Sequence, residues 1–327
     1  MPKLLEVRDL RAYYSTPHGE VRAVDGITFD LEEGEVLGIV GESGSGKSTL
    51  GTVLANIVRP PLHVVGGKIL YKGIDILSMS REELRRFRAK GISIVPQYAM
   101  NALNPTSRIR DIIRDLVLSH TDSPDEVSYR IKLARERAPK IGLPPWVFDR
   151  YPVELSGGMR QRVTILISTL MDPEVLIADE PTSALDVVIQ RLVIQFLSDL
   201  LKEDSIKSMI FITHDVAVVG EIATNIAVMY AGQFVEEGPT EEVFKRPMHP
   251  YTAVMMNSIP EPGVRVVKKV IEGLKGEPPS LIDPPQGCRF HPRCPKAMPI
   301  CSSREPPVVN PSSNRMVRCW LYGGGSA

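Results

Sequence analysis

Three short stretches of the chain, 35-EVLGIV-40, 174-EVLIAD-179 and 209-MIFIT-213, are apolar without alternation. A strand with one wet face alternates apolar and polar residues. Unbroken runs of this length belong to strands covered on both faces. Between the first two runs lie amphipathic helical patterns. One helix is predicted from Ser80, where S-R-E-E forms a capping box with Glu83. Others are predicted over 108–118 and 125–142, with Pro144 and Pro145 ending the block. Two more follow glycine-rich turns, at 47–58 and 159–171. Buried parallel strands joined by helices predict an α/β fold with the helical block as an inserted subdomain.

Composition divides the chain near residue 246. The part from 247 to 327 holds half of the 28 prolines and all 4 cysteines. Proline removes backbone donors, so this extension is expected to be mostly extended segments and turns. Lys plus Arg equals Asp plus Glu, at 39 each, so no net field steers the chain toward nucleic acid or an anionic membrane. The start, MPKLLEVRDLRAYY, lacks the basic-then-apolar pattern of a signal peptide. No apolar run approaches the roughly 20 residues that cross a bilayer. These features predict a soluble, cytosolic chain whose thiols stay reduced.

The residues after the first buried strand, Gly41, Glu42, Ser43, Gly44, Ser45, Gly46, Lys47, Ser48 and Thr49, fit G-x-x-x-x-G-K-[ST] in full. The glycines let backbone N–H groups approach phosphate oxygens, Lys47 reaches the β- and γ-phosphates, and the Ser48 hydroxyl can ligate Mg²⁺. A nucleoside triphosphate is the expected ligand. The second buried strand ends in two acids: Asp179 to hold Mg²⁺ and Glu180 to polarise an attacking water. His214 follows the third strand, at the end that points toward the γ-phosphate in this topology. A lone histidine there is more often structural. In 155-LSGGMRQR-162, Ser156, Gly157 and Gly158 open a second anion-binding helix start. One triphosphate does not need two such starts, so the second is expected to cover a nucleotide held by a partner.

In this order, 41–49, 155–162, 175–180, 183-SALD-186 and His214 resemble the ATP-binding subunits of ABC transporters. The resemblance covers residues 4 to about 245. It implies a P-loop (RecA-like) ABC ATPase core with a β subdomain, a helical subdomain inserted at about 99–154, and a small Pro/Cys-rich extension after residue 246. It also implies that Gln97 touches Mg²⁺ and the attacking water, that Asp186 belongs to the loop facing the partner's ATP, and that an aromatic, Tyr14 or its neighbour Tyr13, stacks on adenine. The phrases 15-STPHGEVRAVDG-26, 101-NALNP-105 and 249-HPYT-252 are similar to the dipeptide and oligopeptide importer branch. That branch implies a second, related ATP-binding subunit, two membrane permease subunits and an extracytoplasmic solute-binding protein, with this chain peripheral on the cytoplasmic face of the membrane. Relatives in the branch also serve oligosaccharide importers. Met159 stands where many ABC proteins carry Gln. The stretch PQYAMNALNP departs from the usual FQDPMTSLNP in a loop that contacts the membrane subunit. An ABC ATPase acting on nucleic acid or ribosomes is disfavoured by the single cassette and zero net charge. A non-hydrolysing nucleotide sensor is disfavoured by Glu180 and His214.

Cys288, Cys294, Cys301 and Cys319 are separated by gaps of five, six and seventeen residues. Four thiolates are the number a [4Fe–4S] cluster needs, and a small proline-rich segment benefits from a staple. Zinc sites usually pair ligands two to four residues apart, although His291 makes C-x-x-H-x-x-C. The branch resemblance implies the iron–sulfur cluster, with Zn²⁺ as the alternative.

Overall fold

The computed structural model describes residues 2–97, 102–183, 185–257 and 276–323. The start of the predicted helical insertion at 99–101, Asn101 of the 101–105 phrase and Ala184 of the 183–186 loop lie outside the described residues, as do 258–275 and 324–327 of the extension.

Two sheets carry the architecture. In the first, β1 (Lys3–Thr16) pairs antiparallel with β2 (Gly19–Glu32) on one side and β4 (Leu62–Tyr71) on the other, and β5 (Ile74–Asp75) lies beyond β4. The second sheet is built around β3 (Val36–Val40), with β8 (Ser208–Ile212), β7 (Val175–Asp179) and β6 (Ile92–Val95) on one side. On its other side lie β9 (Asn225–Tyr230) and β10 (Gln233–Pro239). The strands from β9 through β6 are parallel, while β10 runs antiparallel to β9.

Every residue of β3, β7 and β8 is buried, as the apolar runs require. Their period-two alternation sends side chains into two different cores. Leu37, Ile39, Val175, Ile177, Ile210 and Ile212 face the first sheet and α1 (Lys47–Leu54). Val36, Val40, Leu176, Ala178, Met209 and Phe211 face the opposite core, which includes α5 (Gly157–Ser168) and α6 (Val187–Lys202). Each fully buried aliphatic side chain contributes about 1.5–3 kcal/mol relative to exposure.

The helical block forms as its caps predict. Ser80 accepts from Glu83 N, and the Glu83 carboxylate accepts from Ser80 N at 2.8 Å, so both halves of the capping box start α2 (Arg81–Phe87). Next come α3 (Ile109–Leu118) and α4 (Pro124–Arg137), the latter capped by Ser123 and continued by a 3-10 turn to Ile141. Arg137, 5% exposed, bonds Asp172 at 2.7 Å and Thr169 O at 2.7 Å, fastening this block to the core. The helix after the glycine loop is shorter than its pattern, ending at Leu54, because Asn56 turns to φ +50.

After α7 (Val216–Ile222) and α8 (Thr240–Lys245), the extension opens with α9 (Pro250–Asn257). It then runs through short 3-10 turns at 291–293 and 299–302 to a hairpin of β11 (Val308–Ser312) and β12 (Arg315–Arg318). β12 pairs with β10, placing Glu236 opposite Val317. The hairpin therefore lengthens the core sheet. Phe290, 1% exposed, wedges against Tyr230, Tyr251 and His249 with ring centroids 5.2, 5.4 and 5.7 Å away. Phe290→Ala is expected to cost about 3–5 kcal/mol of stability, the range for emptying a buried aromatic site. Denaturant unfolding should show a lower midpoint at unchanged slope. A wild-type midpoint would mean that the extension does not pack on the core as described.

Candidate active site

The carboxyl ends of β3, β7, β8 and β6 open on the same edge of the sheet, where parallel α/β folds bind ligands. A cavity of about 470 Å³ lies there. Its walls include Ser43, Gly44, Gly46, Lys47, Ser48 and Thr49 from the glycine loop, together with Tyr14, Gln97, Glu180 and His214. Gly41, Glu42 and Ser45 form the back of the loop, and Asp179 stands behind Ser48.

The loop is shaped by backbone contact. Gly46 has φ +104, and a Cβ there would lie 1.9 Å from Ala23 O. At Gly41, φ +154, a Cβ would lie 2.1 Å from Met229 O. Only glycine fits these approaches. Gly46 is the N-cap of α1, so the positive end of that helix faces the cavity. The Lys47 ammonium, 7% exposed, donates to Gly41 O at 2.7 Å and Glu42 O at 2.8 Å, and burial lowers its pKa.

Ser48 Oγ lies 3.1 Å from both Gln97 Oε1 and Asp179 Oδ1. Hydroxyl, amide and carboxylate oxygens thus converge, a donor set suited to a hard divalent cation. Asp179 is 3% exposed, and burial together with the charge of Glu180 raises its pKa to about 6. Glu180 holds φ +51, a strained region for a non-glycine residue. Its carboxylate accepts from His214 N at 3.0 Å and pairs with His214 Nδ1 at 2.8 Å. Gln161 of α5, 1% exposed, donates to Glu180 O and Pro181 O, fixing the backbone that carries the acid.

Strand alternation separates the two adjacent tyrosines. Tyr13 is buried and donates to Asp25 at 2.7 Å, whereas Tyr14 lines the cavity with its hydroxyl 3.1 Å from Thr49 Oγ1. Sequence reasoning missed Val21, Ala23, Ser183 and Leu281, which also line the cavity, and the buried brace Gln161. Ser183 was legible within the SALD motif, and Gln161 within the signature. Leu281 carries no local signal.

Ser156, Gly157, Gly158 and Asp186 do not line this cavity. Ser156 caps α5, accepting from Met159 N at 3.3 Å. Asp186 caps α6, accepting from Val188 N and Ile189 N. The start of α5, which the sequence predicts to bind an anion, is therefore outside the pocket at the start of α1.

The four cysteines are free thiols, with Cys288, Cys301 and Cys319 buried and Cys294 partly so. Burial raises Cys288 to about 11, and Cys301, Cys319 and Cys294 push it in the same direction. Cys288 N donates to Cys301 O at 2.8 Å, closing the loop between them. The ring Nδ1 of His291 lies 2.9 Å from Cys288 O, three residues earlier in the same turn. Among the described residues, no three His, Cys, Asp or Glu side chains stand close enough to hold a single metal ion.

The profile of the ABC transporter family matches residues 24–183, and that of the oligopeptide/dipeptide transporter C-terminal region matches 235–301. The dipeptide transport ATP-binding protein DppD of Caldanaerobacter subterraneus is 43% identical over 331 residues, covering 99% of each chain. The oligopeptide transport ATP-binding protein OppD of Escherichia coli is 39% identical, covering 97% of this chain and 93% of its own. A solved dimeric ATP-binding cassette in a post-hydrolysis state, bound to ADP and Pi, has a TM-score of 0.64 at 25% identity. That likeness spans 72% of this chain and 98% of the other.

Gly46→Ala tests the loop geometry. The added methyl must displace backbone, so it is expected to lower stability by about 1–3 kcal/mol and to abolish binding in a titration with fluorescent nucleotide. Wild-type affinity would show that the loop relaxes without consequence.

Proposed function

The chain belongs to the ATP-binding proteins of dipeptide and oligopeptide ABC transporters, and from that premise we propose how its residues hydrolyse ATP to drive peptide import. The observation that carries the reading is the separation of two anion-binding helix starts. The start of α1 faces the cavity, and the start of α5 at Ser156 lies outside it. Head-to-tail pairing with a related cassette completes the sites: Ser156, Gly157, Gly158 and Asp186 of this chain cover the ATP held by the loop of the partner. The dimeric state of the solved cassette supports this arrangement.

Within the cavity, Tyr14 offers a ring for adenine to stack on. Loop N–H groups and Lys47 hold the phosphates. Ser48, Gln97 and Asp179 would hold Mg²⁺, which supplies neutralising charge to the β- and γ-phosphate oxygens. Glu180 orients the attacking water and accepts its proton as the water oxygen bonds the γ-phosphorus and the bond from that phosphorus to the β-phosphate oxygen breaks, releasing ADP and phosphate. His214, hydrogen-bonded to Glu180, is placed to sense the γ-phosphate. The chain is a peripheral subunit on the cytoplasmic face of the membrane, and among the described residues no helix is long and apolar enough to cross it. It works with permease subunits and an extracytoplasmic binding protein, and its ATPase partner is a related, non-identical subunit. The helical block before residue 154 docks the permease. By composition, residues 1–246 form the ATPase domain and 247–327 an extension, with the hairpin of the extension returning to the core sheet. An oligosaccharide importer of the same branch is the second reading of the substrate. It is less favoured because the relatives are named for peptides.

Cys288, Cys294, Cys301 and Cys319 are proposed to ligate one [4Fe–4S] cluster that staples the extension. Their number supports it, since such a cluster takes four thiolates. Zinc is the alternative, although structural zinc sites usually pair ligands about two to four residues apart and the gaps here are five, six and seventeen.

Glu180→Gln is expected to retain ATP binding and cut phosphate release by roughly 100-fold or more, whereas Lys47→Ala weakens nucleotide binding itself. Near-normal turnover in the first variant would remove Glu180 from the role. Anaerobically purified protein should be brown, absorb broadly near about 400 nm and carry about four irons per chain. Colourless protein with one zinc, from iron-replete cells, overturns the cluster.

A further inference from the structure

The extension reaches the phosphate loop directly. Glu42, the second residue of that loop, is held at three points. Its N–H donates to the Tyr251 hydroxyl at 2.8 Å, its carbonyl accepts from Lys47 Nζ, and its carboxylate accepts two N–H bonds from Arg293 at 2.7 and 2.9 Å. Arg293 lies 251 positions away in the sequence, in the turn between Cys288 and Cys294. Its side chain is 7% exposed, 3.3 Å from the Tyr230 hydroxyl, with the guanidinium 5.9 Å from the centre of that ring. The turn itself is braced by Arg293 N donating to Phe290 O at 3.0 Å, and Phe290 is the buried wedge that anchors the extension.

A bidentate guanidinium–carboxylate pair fixes orientation as well as distance, and lysine cannot reproduce its geometry. The loop it grips needs such a support. Its glycines at 41, 44 and 46 all hold positive φ and bring no side chain of their own to fix that shape, so it depends on contacts from outside the loop. Neither Glu42 nor Arg293 lines the cavity. The pair therefore acts on loop shape rather than on the reacting atoms.

We propose that Arg293 is a positioning residue for the ATP reaction, gripping Glu42 so that the phosphate loop keeps its binding shape and making the cysteine-bearing turn the loop's support. This rests on the ATP-binding reading above. Loss of the grip lowers the fraction of chains with a competent loop. If about one in ten remains competent, apparent ATP affinity falls roughly tenfold. Once ATP is bound the loop is ordered by the phosphates, so the chemical step is unaffected.

The test is steady-state ATPase kinetics and nucleotide titration on the full chain with its partner subunits. Arg293→Ala should raise KM for ATP roughly tenfold with kcat within about twofold, and Arg293→Lys should recover part of the loss. In a Glu42→Gln background the Arg293→Ala effect should largely vanish, because the two residues act as one unit. An unchanged KM, a fall in kcat at constant KM, or a full-sized effect in the Glu42→Gln background each overturns the proposal. Should Arg293→Ala fail to fold, Arg293→Lys and Glu42→Gln carry the same KM test. Wild-type protein that binds no ATP would overturn both readings, whereas wild-type binding with an equally tight Arg293→Ala variant overturns this one alone.

Discussion

A β-strand whose side chains are buried on both faces can carry a charged group only where it ends. β3, β7 and β8 are such strands, and Asp179 is the last residue of β7. Because these strands are parallel, their ends emerge on one edge. The loop after Val40, the acids at 179 and 180, and Thr213–His214 thus come together although their sequences lie far apart. The chemistry of the site is a consequence of where the apolar runs stop. The strain at Glu180, φ +51, marks the point at which β7 turns sharply out of the sheet, and Gln161 from the signature helix holds that turn.

Beside the apolar wedge at Phe290, buried ion pairs fasten the extension. Glu236 is fully buried and accepts from Met248 N, His249 N and Arg315. Arg289 pairs with Asp25, which also takes the Tyr13 hydroxyl. Removing one partner of a buried pair leaves an uncompensated charge and costs about 3–5 kcal/mol. Such contacts specify one docking geometry sharply. They make the extension part of the wall and scaffold of the nucleotide site, with Leu281 reaching the cavity itself.

What the sequence revealed depended on the range of the signal. The capping box at Ser80 spans three residues and forms as read. The buried strands were legible because burial on two faces leaves an unmistakable apolar run. β1 and β2 gave a weaker signal, since register shifts between Val7 and Leu10 and again near Arg11 break their alternation. The Tyr13 and Tyr14 choice was open because strand alternation separates neighbours without saying which faces the cavity; the bond to Asp25 turns Tyr13 inward and leaves Tyr14 on the cavity side. The pairing of β12 with β10 and the Arg293–Glu42 bond join segments 79 and 251 residues apart, and no local pattern encodes such contacts.

The electrostatics of the site connect its fold to its substrate. Burial lowers the pKa of Lys47 and raises that of Asp179 from 3.8 to about 6, so each is ionised at a cost in the absence of a counter-charge. For Asp179 the sign is clear: a raised carboxyl penalises the fold at pH above its unfolded value. The penalty is absent below about pH 4 and complete above about pH 6, where it amounts to roughly 3 kcal/mol. A divalent cation beside Asp179 and phosphate oxygens beside Lys47 would remove both costs together. The apolar core that gathers these groups at one edge is also what desolvates them. Desolvation raises the cost of both charges, and a metal–triphosphate complex is a ligand whose two signs of charge would offset it.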